Sequence, residues 1–168
     1  MTSDSLHAFT DWLSRTPPSL VIQNVTWIVP AVQTVHIACI AIVMGAMVML
    51  DFRILGLAGR GQPLSVLINR LMPWVWWALI VLLLTGAALI TGEPARSLEN
   101  PAFQLKMVLL LCACALVLTV ERGVRTDSAF WDMKPSRKTA AKIIAIASLF
   151  LFAAIVFAGR WIAYFEVY

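Results

Sequence analysis

The stretch WIVPAVQTVHIACIAIVMGAMVML, residues 27–50, decides the fold of this chain. It has no formal charge other than a possible one on His36. A helix needs about 20 predominantly apolar residues to cross the roughly 30 Å hydrocarbon core of a bilayer. An unbroken apolar run of this length crosses as an α-helix, because only a helix satisfies its own backbone hydrogen bonds there. Residues 27–50 therefore predict a first transmembrane helix.

Three more apolar runs follow it, at residues 72–90, 103–120 and 143–165. None of them alternates apolar and polar residues as a barrel strand would. The sequence therefore predicts an all-α integral membrane protein. Its fold is an antiparallel four-helix transmembrane bundle that forms a single membrane domain over residues 1–168.

The composition agrees with a membrane protein. Apolar residues make up 61% of the 168 residues and charged residues 13%, whereas about a quarter of the residues in soluble domains are charged. A chain of this length cannot bury so many apolar side chains in its own interior. Lipid must cover many of them, so the bilayer is its first partner. The formal charge of +4 does not indicate nucleic-acid binding, because most basic residues lie in two loops between apolar runs.

The distribution of Lys and Arg predicts the orientation in the membrane. Nine of the thirteen lie in the loops after the first and third runs. They are Arg53, Arg60, Arg70, Arg122, Arg125, Lys134, Arg137, Lys138 and Lys142. The positive-inside rule places these loops in the cytoplasm and both ends of the chain on the other side.

Two shorter amphipathic helices are also expected. Within residues 1–26, an interfacial segment on the outer side, Leu6, Phe9 and Leu13 recur at helical spacing and Pro17-Pro18 follows as a stop. This pattern predicts a helix that lies on the membrane surface, or whose apolar face covers the bundle. Residues 63–71, with a proline at the first turn, predict the second short helix, on the inner side.

His36 is the main candidate for function. It lies nine residues past Trp27, roughly 13 Å along the helix and close to the membrane midplane. An ionisable residue at that depth is costly and is a functional candidate for that reason. Gln33 precedes it by three positions and shares its helix face.

Three interpretations of His36 stay open. It could be a neutral side chain hydrogen-bonded to a neighbouring helix, the axial ligand of a haem b iron, or a proton or ligand site in a carrier. The only other histidine is His7, near the N-terminus. A haem would therefore use His7, a partner chain, a methionine such as Met44 or Met47, or an open sixth position.

Two basic residues mark the outer ends of later spans. Lys106 begins the third span and Arg160 ends the fourth. If the two side chains converge above His36, they form a basic mouth that holds haem propionates or an anionic solute. The alternative is that both simply extend to the lipid headgroups.

Charged residues also occur where spans one and three end on the inner side. Asp51 and Arg53 follow span one, and Glu121 and Arg122 follow span three. We expect pairs among these residues to form a structural clamp at the cytoplasmic rim. The chain contains none of the common hydrolase, metalloprotease or phosphate-binding motifs.

Five motifs carry a resemblance to a known family: WIVPAVQTVHI (27–37), DFRILGL (51–57), LMPW (71–74), NPAFQLK (100–106) and GRWIAY (159–164). They resemble an uncharacterised family of bacterial four-helix inner-membrane proteins, a domain of unknown function. The resemblance runs over nearly the whole chain and implies a location in the bacterial inner membrane. In that membrane, the distribution of Lys and Arg predicts that both termini are periplasmic. It implies importance for Pro30, His36, Asp51, Arg53, Pro73, Asn100, Lys106 and Arg160.

The resemblance supplies no activity, and two departures from it bear on function. Relatives are expected to carry glutamate at the position of Gln33 and a histidine near that of Glu121. A two-histidine cofactor site in relatives would then be altered here.

Three functional hypotheses result. The first is a small membrane subunit or anchor of a redox system that binds haem b or quinone near His36. It would work in electron transfer, as a homo-oligomer or with a periplasmic redox partner. The second is a carrier for a small anion, and the third is a structural anchor for a periplasmic partner. None of them makes the chain an enzyme on its own.

The orientation can be tested with a reporter protein that is active only in the periplasm, fused after Tyr168. We expect full activity, because nine basic residues hold the loops after spans one and three inside. If a reporter that works only in the cytoplasm is active when fused at the same position, the opposite topology is correct.

Overall fold

The computed structural model describes residues 3–58, 61–126 and 135–161, and these residues form helices and short connections. The helices in chain order are α1 (Ser3–Ser14), α2 (Pro17–Asn24), α3 (Ile28–Leu55), α4 (Leu64–Gly92), α5 (Pro94–Leu98), α6 (Pro101–Thr126) and α7 (Pro135–Trp161).

Four of these helices, α3, α4, α6 and α7, are long and apolar enough to cross a bilayer. Within the most apolar 18-residue window of each, at most 33% of the residues are buried inside the protein. The remaining apolar surface requires lipid, because monomeric soluble proteins rarely expose large contiguous apolar patches. The predicted all-α, four-helix membrane fold is thereby confirmed.

Helix α3 is central to the bundle. It packs most extensively against α4 and also along α7, while α6 packs mainly against α7. The large apolar side chains that are most deeply buried come from α3 and α4 and have at most 2% of their surface exposed. They are Met47, Leu50, Ile68, Met72 and Val75. Helices α4 and α6 make few contacts with each other, which leaves a gap in the bundle wall.

The separate short helix predicted over residues 63–71 is wrong, because α4 is continuous from Leu64 to Gly92. Pro63 caps the helix rather than lying in its first turn, and Pro73 lies inside it. A proline there removes one backbone hydrogen bond. The buried face outweighs that loss, since Leu64, Ile68, Met72 and Val75 follow one another at helical spacing into the core.

Helix α3 also extends beyond its predicted end at residue 50. It continues to Leu55 and stops at Gly56, whose φ of 76° is the left-handed conformation that favours glycine. Asp51 and Arg53 therefore lie in the last turns of a helix and not in a loop.

Helices α1, α2 and α5 cover one end of the bundle, which we call the capped end; the other is the opposite end. Ser19 of α2 is fully buried and donates a hydrogen bond to the carbonyl oxygen of Thr91, at 2.6 Å. Close by, a Cβ on Gly92 would lie only 2.8 Å from Ile22 Cγ2. The Pro17-Pro18 pair ends α1 as predicted and also begins α2, which the sequence interpretation missed.

Glu99 holds α1 to the capped end. Its Oε1 accepts hydrogen bonds from the Thr10 hydroxyl at 2.6 Å and from His7 Nδ1 at 2.9 Å. The Thr10 bond, with a smaller contribution from His7, lowers the pKa of the Glu99 carboxyl despite the opposing effect of burial. The ionised Glu99 therefore stabilises the docking of α1 at any pH above the ordinary pKa of a glutamate. This stabilisation is lost as the pH falls through the lowered pKa of Glu99.

Glu99→Gln should loosen α1 from the capped end, because a neutral amide is a weaker acceptor than a carboxylate. We expect a cost on the order of 1–2 kcal/mol, which corresponds to roughly tenfold faster amide hydrogen exchange in α1 at neutral pH. The control is Glu93→Gln, which removes the exposed pair with Arg96. Equal exchange rates in the two variants would show that Glu99 does not hold α1.

Candidate functional site

The four candidate cofactor-binding residues occupy different environments. His36 of α3 and Lys106 of α6 are half-buried, whereas Gln33 and Arg160 are exposed. Lys106 lies close enough to His36 for the two side chains to interact electrostatically. The described structure therefore brings His36 and Lys106 together in the half of the bundle nearer the capped end.

A hydrogen bond joins His36 to the neighbouring helix. Its Nδ1 lies 2.7 Å from Thr85 Oγ1 of α4. The Thr85 hydroxyl has a single proton, which it donates to the Val81 carbonyl oxygen, also at 2.7 Å. In the tautomer in which that proton stays in the bond to Val81, His36 Nδ1 carries the ring proton and donates it to Thr85. The neutral ring is left with a lone pair on Nε2, which has no hydrogen-bond partner among the described residues.

Two glycines make room for the polar side chains. His36 Cε1 lies 3.7 Å from the place where a Cβ of Gly86 would stand. Lys106 Nζ lies 3.6 Å from the corresponding position on Gly159 of α7. His36 and Lys106 thus each lie against a glycine of a neighbouring helix. A residue much larger than alanine at either glycine would displace the side chain that lies there.

Sequence reasoning missed Thr85 and the two glycines. A threonine in an apolar helix usually bonds only to a carbonyl of the preceding turn, so nothing in its sequence context marks it as a partner. The adjacent Thr85-Gly86 pair in a run of leucine, isoleucine and alanine was the one available signal.

An apolar cavity of about 60 Å³ lies inside the bundle between the two ends. It begins one helical turn from His36, Thr85 and Lys106, on the side of the opposite end. Its walls there are Ile40, Leu82 and Leu110, and farther along they include Trp76, Val117 and Phe152. Helices α4 and α6, which contact each other little, form two of its sides.

No ion pair joins the described residues expected to form the rim clamp, which are Asp51, Arg53, Glu121 and Arg122. Arg53 Nε donates to the Gln62 carbonyl oxygen at 2.9 Å. Glu121 accepts from Trp76 Nε1 at 3.1 Å and from Arg125 Nε at 2.9 Å. The predicted pairing is wrong because α3 stays helical through Leu55, and residues two apart on a helix, such as Asp51 and Arg53, do not face each other.

The described residues are 3–58, 61–126 and 135–161. Within them, no three His, Cys, Asp or Glu side chains are grouped closely enough to hold a metal ion. His7, the second histidine, is bonded to Glu99 at the capped end.

The family match spans residues 25–165, from the start of α3 past the end of α7. The chain belongs to a family of unknown function, DUF6644. The matched DUF6644 region contains His36, Thr85, Lys106 and the cavity, whereas α1 and α2 lie outside it. No curated protein and no solved structure matches the chain.

Thr85→Val should destabilise this DUF6644 protein, because the Nδ1–H of His36 loses its acceptor while the side-chain shape is kept. We expect a loss of about 1 kcal/mol in the free energy of unfolding in mixed detergent micelles. Thr119→Val is the matched control, since its exposed hydroxyl also donates to the carbonyl four residues earlier. If both variants lose the same stability, the bond to His36 contributes nothing.

Proposed function

We propose that this protein is a small membrane subunit of a redox system that binds the headgroup of a quinol at His36. The observation that carries the proposal is the Nε2 of His36, which has no partner among the described residues and lies one helical turn from an apolar cavity. A polar atom of this kind at the end of an apolar space suits a ligand with a small polar head and a long apolar tail.

The state of the His36 ring favours the reduced form of the ligand. Because Nδ1–H is committed to Thr85, Nε2 can only accept a hydrogen bond, and a quinol hydroxyl can donate one. Lys106, held against Gly159, supplies a positive charge and hydrogen-bond donors near the same headgroup. A quinone carbonyl could bond to Lys106 but not to the neutral His36 ring.

The cavity suits the apolar part of such a ligand. Apart from the Trp76 indole N–H, its lining consists of aliphatic and aromatic side chains and the Cys114 thiol. The Trp76 indole N–H is already bonded to Glu121. The gap between α4 and α6 offers an isoprenoid chain a route from the surrounding lipid into the bundle.

A b-type haem at His36 is the second candidate, favoured by the same hydrogen bond. An axial histidine usually donates its other ring N–H to a fixed acceptor, as His36 does to Thr85. Met44, which lines the cavity, is the best placed of the ligands expected from the sequence, because Met47 is packed in the core and His7 lies at the capped end.

The cellular setting is part of the proposal. The family resemblance and the distribution of Lys and Arg support a bacterial inner membrane, with the capped end and both termini facing the periplasm. A periplasmic redox protein or a second copy of the chain would then exchange electrons near the capped end, where His36 lies.

Binding can be measured by anaerobic calorimetry with a short-chain ubiquinol and the protein in nanodiscs. His36→Ala should raise the Kd about tenfold, because it removes one buried hydrogen bond to the ligand. Gln33→Ala is the matched control, because Gln33 lies one turn away on the same helix but is exposed. The Kd of this variant for ubiquinol should equal that of the wild type.

The absorbance spectrum of the same preparation separates the two candidates. A Soret band that disappears in His36→Ala would establish haem and replace the quinol proposal. A colourless protein that binds ubiquinol equally well with and without the imidazole would contradict both.

A further inference from the structure

A second polar site lies near the opposite end of the bundle, between α3 and α7. The Asp51 side chain has 3% of its surface exposed and Ser148 has none. The two side chains are neighbours, yet no hydrogen bond of normal geometry joins them. Asp51 Oδ2 and Ser148 Oγ are the two buried side-chain atoms without a hydrogen-bond partner in the described part of the chain.

No cationic group neutralises Asp51 among the described side chains. On its own helix, Arg53 is bonded to the Gln62 carbonyl. Arg70 on α4, Arg122 on α6 and Lys142 on α7 are exposed. Glu121 on α6, the nearby acid, is occupied by Trp76 and Arg125.

An ionised carboxylate in this position would be buried without a counter-charge among the described side chains and with no donor on Oδ2, which is strongly unfavourable within a membrane. Magnesium and calcium ions are surrounded by six to eight oxygen ligands, whereas this site offers the oxygens of only two side chains. A proton needs only one oxygen.

We infer that Asp51 is a proton-binding site and that its carboxyl group is a neutral acid in the folded protein at neutral pH. The proton taken from water forms an O–H bond on the carboxylate, whose negative charge it cancels. The neighbouring Ser148 hydroxyl is the group to which this O–H donates after a small side-chain rotation. The site can release the proton only when water reaches it.

The proton site is separate from His36 and does not depend on a ligand there. The two residues are fifteen positions apart on α3, or roughly 22 Å along the helix. Phe152, one turn from Ser148, lines the far part of the cavity. The proton site therefore lies beyond the end of the cavity remote from His36.

Infrared difference spectroscopy of the protein in nanodiscs tests this inference. At pH 7 we expect the C=O stretching band of one buried protonated carboxyl, absent in Asp51→Asn and unchanged in Glu121→Gln. Glu121 is a suitable control because it is a buried acid whose oxygens both have partners. A wild-type spectrum without the band, or a band lost in Glu121→Gln instead, would overturn the assignment.

Ser148→Ala provides a second test that keeps the acid in place and does not rely on the folding of Asp51→Asn. Removing the hydroxyl should shift the band in frequency without abolishing it, and an unmoved band would show that Ser148 is not the partner. Spectra in sodium chloride and in choline chloride should be identical. Conversion of the band to a carboxylate band by sodium alone would mean that the site binds a metal cation.

Discussion

The absence of water from the bilayer core is the constraint on which the rest of this structure depends. Backbone groups in the four spans bond within their own helices except where a proline such as Pro73 removes a donor. A polar side chain that does not bond to a carbonyl of its own helix needs a partner on another helix or a ligand. Such residues are therefore informative, since each one either holds two helices together or marks a place where something binds.

The bundle meets this requirement differently at its two ends. Near the capped end, the bond from His36 to Thr85 joins α3 to α4 and leaves one ring nitrogen free. Near the opposite end, Glu121 joins α6 to α4 through Trp76, at the pair of neighbouring helices that pack least. Among the described residues, Asp51 Oδ2 and Ser148 Oγ are the buried side-chain atoms without a partner, and there a proton takes the place of a counter-ion.

Glycine and the capping helices shape the site around His36. Gly86 and Gly159 allow an imidazole and an ammonium group to lie against the backbone of neighbouring helices without separating them. Asn100 is fully buried and accepts a hydrogen bond from the Ala102 N–H, so it caps the start of α6. Four turns of this helix separate Lys106 from Glu121. The family match begins at residue 25, so α1 and α2 lie outside the matched region, which contains the site.

The sequence by itself determined the number of membrane helices, because an apolar run of about 20 residues has one stable conformation in lipid. It also identified His36 and Lys106, since a charge or imidazole in such a run stands out from its neighbours. Local patterns misjudged the helix ends at Asp51 and Pro73, where burial against other helices outweighed local propensity. Only the tertiary structure decided which helices are neighbours, and with that the Thr85 bond, the cavity and the isolation of Asp51. The His36–Thr85 and Asp51–Ser148 pairs join residues 49 and 97 positions apart in the chain, and no local pattern carries information about such contacts.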